Sequence, residues 1–239
     1  NLFGRFNNAR TAYYRLSEFM EETKELDEKE KDNSTVRRPE LNDLEFKSLS
    51  FRYPGKQVDT LEQLNLKVNK GEKIAILGRN GSGKTTVIKL ASGLFQATDG
   101  LVMYDGIDTQ QINNEDLSRS IGIVLQDVQL FSGSVYENIT MGREGITMED
   151  VVEASKISGL DEFLGKMPGG YELVLQDKGN GLSGGQKQAI AITRAIVHKP
   201  SHFILDEPTS AMDMNSELNF INNFKEVVKD STLIVVSHR

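Results

Sequence analysis

The stretch Ile74 to Thr86, IAILGRNGSGKTT, constrains this chain more than any other. Ile74, Ala75, Ile76 and Leu77 make the short apolar run of a buried strand, broken at Gly78 by a loop with further glycines at 81 and 83. A helical pattern begins at Lys84. Strand, glycine-rich loop and helix in that order are the context in which the spacing GxxxxGK[ST] binds phosphate. Glycine lets backbone N–H groups turn inward around a polyphosphate. The new helix adds its unpaired N–H groups and the positive end of its dipole. Gly78, Arg79, Asn80, Gly81, Ser82, Gly83, Lys84, Thr85 and Thr86 are therefore the candidate phosphate-binding residues. In this pattern Lys84 reaches the β- and γ-phosphates and the Thr85 hydroxyl ligates Mg²⁺.

The 239 residues can hold one large domain or two small ones with ample core. A net charge of −7 gives no basic footprint for nucleic acid, and no nucleic-acid partner is expected. The absence of cysteine excludes disulfides, thiolate metal sites and thiol catalysis, and fits a reducing compartment. No apolar run approaches the roughly 20 residues of a membrane-spanning helix, and no stretch of the given residues reads as a signal peptide. The chain begins at Asn1 without Met and stops at Arg239 directly after a strand-like run, as expected of a piece cut from something longer.

Leu2, Phe6, Ala9, Tyr13, Leu16 and Met20 fall at helical spacing with charges between them, which predicts an amphipathic helix over 1–20. That helix either lies on its own domain or descends from an upstream membrane segment. A charged run from Glu21 to Asp32 and a break over 33–39 follow. Alternation predicts strands at 44–53 and 64–68. After a helix over 84–94 come strands at 101–104 and 121–125, the latter ending in Gln126-Asp127. Residues 135–181 read as a helical insert, within which Thr147 caps a helix against Asp150 and 160–167 forms a further short helix. Ser183 caps a helix over 184–199 that Pro200 ends. A strand at 202–205, a helix at 215–229 and a strand at 232–236 complete the chain.

Asp206 and Glu207 stand where the apolar strand 202–205 ends. In parallel α/β sheets that end holds the ligand, beside the phosphate loop. Asp206 is the candidate holder of Mg²⁺, which prefers oxygen ligands and retains waters. Glu207 is the candidate general base for an attacking water. Leu182-Ser183-Gly184-Gly185-Gln186 is a second glycine-rich helix start, by itself a weak anion-binding signal.

Taken in order, Tyr53, GRNGSGKT, Gln126, LSGGQ, ILDE, Ser210-Ala211-Met212-Asp213 and His238 resemble the nucleotide-binding domain of an ABC transporter, from Leu44 to Arg239. The resemblance implies a P-loop NTPase core, a mixed sheet flanked by helices. It also implies an antiparallel β subdomain, an inserted α-helical signature subdomain and an N-terminal linker helix. Residues 1–40 would then form the linker from an upstream transmembrane domain and 41–239 the ATPase domain, with the helical subdomain at about 127–195 and the C-terminal end missing. Tyr53 would stack on adenine. Gln126 would touch Mg²⁺ and the lytic water, and the segment after it, through Phe131, would face the membrane part. Ser183, Gly184, Gly185 and Gln186 would serve the nucleotide held by a second copy, because in the family two domains pair head to tail. Asp213 would communicate between the two sites, and His238 would hydrogen-bond the γ-phosphate and Glu207. The catalytic set is thus Glu207, His238, Gln126 and Lys84, the metal set Thr85, Gln126 and Asp206, and the cofactors ATP and Mg²⁺. His198 and His202 match no motif.

KGNGLSGGQKQAIAITRAI, followed by LDEPTSAMD, is most similar to the ATPases of bacterial type I protein secretion. That similarity implies an exporter motor at the cytoplasmic face of the inner membrane, coupled to a transmembrane domain of the same polypeptide and to periplasmic adaptor and outer-membrane channel subunits. Two positions depart from the common form: Gln176-Asp177 stands where Gly-Glu is usual, and Thr193 replaces an alanine. Alternatives are an exporter of peptides, lipids or drugs, and an ABC-type ATPase acting on nucleic acid.

Overall fold

The structure, a computed structural model, describes residues 35–237. The amphipathic helix expected over 1–20, the charged run after it and His238 lie outside the described residues. In chain order, β1 (Leu44–Phe51), β2 (Leu61–Val68) and β3 (Lys73–Leu77) lead into α1 (Lys84–Ala91). β4 (Asp99–Tyr104), β5 (Ile107–Asp108), α2 (Asn114–Ser120) and β6 (Ile121–Val124) follow. Next come β7 (Gly133–Ser134), α3 (Val135–Thr140), α4 (Met148–Ser158), α5 (Leu160–Leu164), β8 (Val174–Leu175) and α6 (Gly184–Ile196). β9 (His202–Asp206), α7 (Met214–Val227) and β10 (Thr232–Ser237) close the described part.

The expected mixed sheet architecture resolves into a four-stranded antiparallel sheet, ordered β2-β1-β4-β5, and a four-stranded parallel sheet, ordered β3-β10-β9-β6. In β1 the inward residues are Leu44, Phe46, Leu49 and Phe51, whose spacing slips by one between 46 and 49. A bulge at Ser48, with φ 46°, absorbs the extra residue and returns Leu49 to the core side. The parallel sheet is buried on both faces at its centre, so β9 reads as a continuous apolar run instead of an alternating one. Ile204 joins the core shared with the antiparallel sheet and α1, while Phe203 and Leu205 join the core shared with α6 and α7.

Several boundaries differ from the expectations. The helix expected over 84–94 ends at Ala91, where Ser92 and Gly93 hydrogen-bond back to Ile88 and Leu90. The helix expected to run to Lys199 ends at Ile196, and the short helix expected to reach Met167 ends at Leu164. β2 begins at Leu61, three residues before the apolar alternation suggested. The stretch 135–181 is helical only in part, because β8 lies within it and pairs with β7, which stands directly before it at the entry of α3. Thr147 caps α4 as expected, accepting from the Asp150 N–H at 3.2 Å while the Asp150 carboxylate accepts from the Thr147 N–H at 3.0 Å.

Residues 36–38 are bound to the body of the fold. Val36 exchanges backbone hydrogen bonds with Gln111 and Asn113, and Asp116, 3% exposed, accepts the Arg38 N–H at 2.7 Å. The Arg37 guanidinium lies 3.3 Å from the same carboxylate.

Candidate nucleotide site

The parallel register aligns the carboxyl ends of the strands. Leu77 stands opposite Ser237, Val236 opposite Asp206, and Leu205 opposite Val124. The loop after β3, the Asp206-Glu207 pair and the segment leading to Gln126 therefore leave the sheet along one rim, where parallel α/β sheets hold their ligands. A cleft of about 430 Å³ opens there, lined by Asn80, Gly81, Gly83, Lys84, Thr85 and Thr86 from the loop and α1. Gln126, Asp206 and Glu207 complete its inner wall, and Tyr53 and Thr60 of the antiparallel sheet's connection bound it on the other side.

Gly83 marks how tightly the two sheets meet at this cleft. Its φ is 89°, and a β-carbon there would lie 2.7 Å from the Leu61 side chain and 3.1 Å from the Thr60 carbonyl oxygen. Only glycine satisfies both the left-handed backbone and the approach. Lys84 is nearly buried, and its ammonium donates to the carbonyls of Gly78 at 2.8 Å and Arg79 at 3.0 Å. Two of its three N–H donors thus span the loop and one remains for a ligand. Tyr53 is half-buried, set edge-on to Phe51 and Phe95, and its hydroxyl lies 3.1 Å from Thr86 Oγ1. These contacts fix the ring at the rim.

The Thr85 hydroxyl donates to Asp206 at 2.6 Å. Asp206 is 1% exposed, and burial raises its carboxyl above the ordinary value. The Thr85 hydrogen bond pulls it back and the Glu207 charge pushes it up again. A carboxyl in this position gains from a cation nearby. Among the described residues no cluster of three or more His, Cys, Asp or Glu could hold a metal. The donor set offered by Thr85, Asp206 and Gln126 is instead a hydroxyl, a carboxylate and an amide, all oxygen donors. That chemistry fits Mg²⁺ completed by phosphate and water better than a soft or nitrogen-seeking metal.

Ser183, Gly184, Gly185 and Gln186 are not brought to this cleft. They line a separate groove of about 880 Å³ that also includes Asp213. Ser183 caps α6, its hydroxyl accepting from the Gln186 N–H while the Gln186 side chain accepts from the Ser183 N–H. Asp213 caps α7 by accepting from Asn215 and Ser216. Those bonds, led by the Ser216 backbone N–H, hold its carboxyl below the ordinary value. Phe131 is 39% exposed, and its N–H and carbonyl are both tied to the side chain of buried Asn138. Thr193, which departs from the common form, and His202, which matches no motif, have structural roles. The Thr193 hydroxyl donates to the Ala189 carbonyl and meets Ser158, and the His202 ring donates to the Asn42 carbonyl at 2.7 Å.

Two residues escaped the sequence reading. Thr60 reaches the cleft only through the approach of the sheets, which no local pattern reveals. Gln188 is 2% exposed on a helix face that is otherwise apolar, and that break in the pattern was the available signal.

The ABC transporter family model matches residues 61–210, and the chain belongs to that family. It is 40% identical over 196 residues to the cyclolysin secretion/processing ATP-binding protein CyaB of Bordetella pertussis, covering 82% of this chain and 28% of that protein. It is 41% identical over 202 residues to the leukotoxin translocation ATP-binding protein LktB of Mannheimia glucosida, covering 84% of this chain and 28% of that one. The alpha-hemolysin translocation ATP-binding protein HlyB of Escherichia coli is 39% identical over 202 residues, with 84% and 29% covered. The chain thus spans less than a third of the length of these relatives. Among solved structures, a bacterial Atm1-family ABC exporter with ATP bound superposes with a TM-score of 0.79 at 30% identity, covering 87% of this chain and 36% of that chain.

Proposed function

We propose that this chain is the ATP-binding and ATP-hydrolysing motor of an exporter that secretes protein by a type I system. The observation that carries the reading is the single cleft in which Lys84, the Thr85–Asp206 pair, Gln126, Glu207 and Tyr53 converge. The relatives are ATP-binding proteins named for the secretion or translocation of cyclolysin, leukotoxin and alpha-hemolysin, which favours protein cargo over lipids or drugs.

Thr85, Asp206 and Gln126 would hold Mg²⁺, which when bound neutralises charge on the phosphate oxygens. Tyr53 offers its ring to the base. The loop N–H groups and the free donor of Lys84 hold the β- and γ-phosphates and oppose the charge that spreads over the transferring phosphoryl. Glu207 orients a water and takes its proton on the carboxylate. The water oxygen bonds to the γ-phosphorus as the bond from that phosphorus to the β–γ bridging oxygen breaks, leaving ADP and phosphate. His238 would hydrogen-bond the γ-phosphate, as the family resemblance implies. Ser183 to Gln186 and Asp213 line a different groove; as the family resemblance implies, they would serve the nucleotide of a second copy in a head-to-tail pair, with Asp213 communicating between the two sites. ATP then closes the pair and hydrolysis opens it, a population shift that drives a transmembrane domain of the same polypeptide. No helix of the described residues is long and apolar enough to cross a membrane. The membrane part belongs to residues upstream of this domain, with adaptor and outer-membrane channel subunits beyond it and the motor at the cytoplasmic face of the inner membrane.

Glu207→Gln tests the reading. ATP affinity should stay within a few-fold while turnover falls by about 10² or more, the order expected for losing a general base, and an ATP-bound dimer should accumulate. Unchanged steady-state hydrolysis would remove Glu207 from the chemistry.

A further inference from the structure

Glu207 stands on an unusual backbone. Its φ is 49°, in the left-handed region that residues other than glycine rarely adopt, at the first position past β9. Three hydrogen bonds fix it there. The Glu207 N–H donates to the Val236 carbonyl at 3.0 Å, and its own carbonyl accepts from the Ser210 N–H at 3.1 Å and from Gln188 Nε2 at 2.9 Å. Gln188 is 2% exposed and belongs to α6, two residues past the Gly184-Gly185-Gln186 helix start. The other end of its amide, Oε1, accepts from the Ala211 N–H at 3.0 Å. One buried side chain therefore grips both ends of the turn from 207 to 211.

The same turn packs against the start of α6. A β-carbon on Gly184 would lie 3.2 Å from the Ala211 β-carbon, and one on Gly185 would lie 3.0 Å from the Ala211 carbonyl oxygen. Two small residues and one amide thus join the helix start to the backbone of Glu207. Neither the phosphate loop nor Asp206 takes part in this joint.

We propose that Gln188 is a positioning residue. It holds Glu207 in its left-handed conformation, so that the carboxylate faces the cleft, and it links that placement to whatever the start of α6 engages. The proposal rests on the reading of Glu207 as the base. In a head-to-tail pair it makes each base responsive to the nucleotide bound by the partner, because the helix start that meets that nucleotide and the turn that carries the base are pinned together.

The test is made on the intact exporter polypeptide with Gln188→Met, which keeps length and volume and loses the hydrogen bonds to Glu207 and Ala211 together with a longer one to the Ser210 hydroxyl at 3.5 Å. ATP affinity should stay within about three-fold, since the phosphate loop is untouched, while single-turnover hydrolysis falls about ten-fold or more. In a Glu207→Gln background the same change should cost less than about two-fold, because the group it positions is already absent. An equal loss in both backgrounds would make Gln188 a packing residue and overturn the proposal, as would hydrolysis within three-fold of the parent. If Gln188→Met is not recovered folded, Gln188→Asn carries the same amide one methylene short of spanning both partners. It should give the same pattern, and full activity of that variant would overturn the proposal. If Glu207→Gln is slow and the Gln188 variants are not, this proposal alone fails. If Glu207→Gln hydrolyses at the parent rate, the base assignment fails and takes the proposal with it.

Discussion

Lys84 illustrates how a single side chain can be committed before any ligand arrives. Its ammonium bridges the carbonyls of Gly78 and Arg79 and so holds the loop that would cradle phosphate. Replacing it removes a charge-assisted contact to the ligand, about 1.5–3 kcal/mol, and at the same time releases two loop carbonyls. Lys84→Ala should therefore weaken ATP binding by at least about ten-fold, since 1.4 kcal/mol corresponds to that factor. Titration calorimetry with ATP and magnesium checks this, and an unchanged dissociation constant would refute the role. Lys84 was legible in the sequence because its spacing from Gly78 encodes a backbone geometry. Gln188 was not, because a buried amide on the inner face of a helix gains meaning only from the turn that tertiary packing brings against it.

Among the elements, α4 shows how a short helix is anchored at one end. The reciprocal pair of Thr147 and Asp150 satisfies its first N–H groups, and Val151 and Ala154 bury its inner face. The Thr147 hydrogen bonds, followed by Lys199, draw the Asp150 carboxyl down to about 2. Thr147→Ala should destabilise the fold by about 0.5–2 kcal/mol, lowering Tm by a few degrees in a chain of this size, with ATP affinity unchanged. Thermal unfolding by circular dichroism, read beside calorimetry, checks both halves. The sequence announced this helix because a capping pair precedes an apolar face at helical spacing. It did not announce α2, whose seven residues bury Leu117 as their one apolar side chain and start from the side chain of Asn113. β7 and β8, at two residues each, are too short for any periodicity, and pairing between distant segments creates them.

At the scale of the whole molecule, buried His202 and half-buried His198 tie parts of the fold together in their neutral form. His202 links the parallel sheet to the start of β1 through the Asn42 carbonyl, and His198 lies between the Arg143 guanidinium and the Ile121 carbonyl. Burial, then the Arg143 charge, draws the His198 imidazole down to about 4, and burial lowers His202 as well. The unfolded chain protonates both near 6.5, so between that pH and about 4 it binds more protons than the folded chain. Stability is full above pH 6.5 and is lost as pH falls through this window. Urea midpoints measured from pH 7.5 to 4.5 should decline, and His198→Gln should flatten the decline; an equally steep curve for the variant would assign the loss elsewhere. Neither histidine carried a motif, and their roles follow from where the sheets close.

The attachment of residues 36–38 sets a practical boundary for anyone shortening this polypeptide for expression or crystallisation. A cut placed after Arg38 would take away the amide and the guanidinium that face Asp116, leaving its carboxyl group sealed in the interior without those partners. The economical truncation therefore starts no later than Thr35.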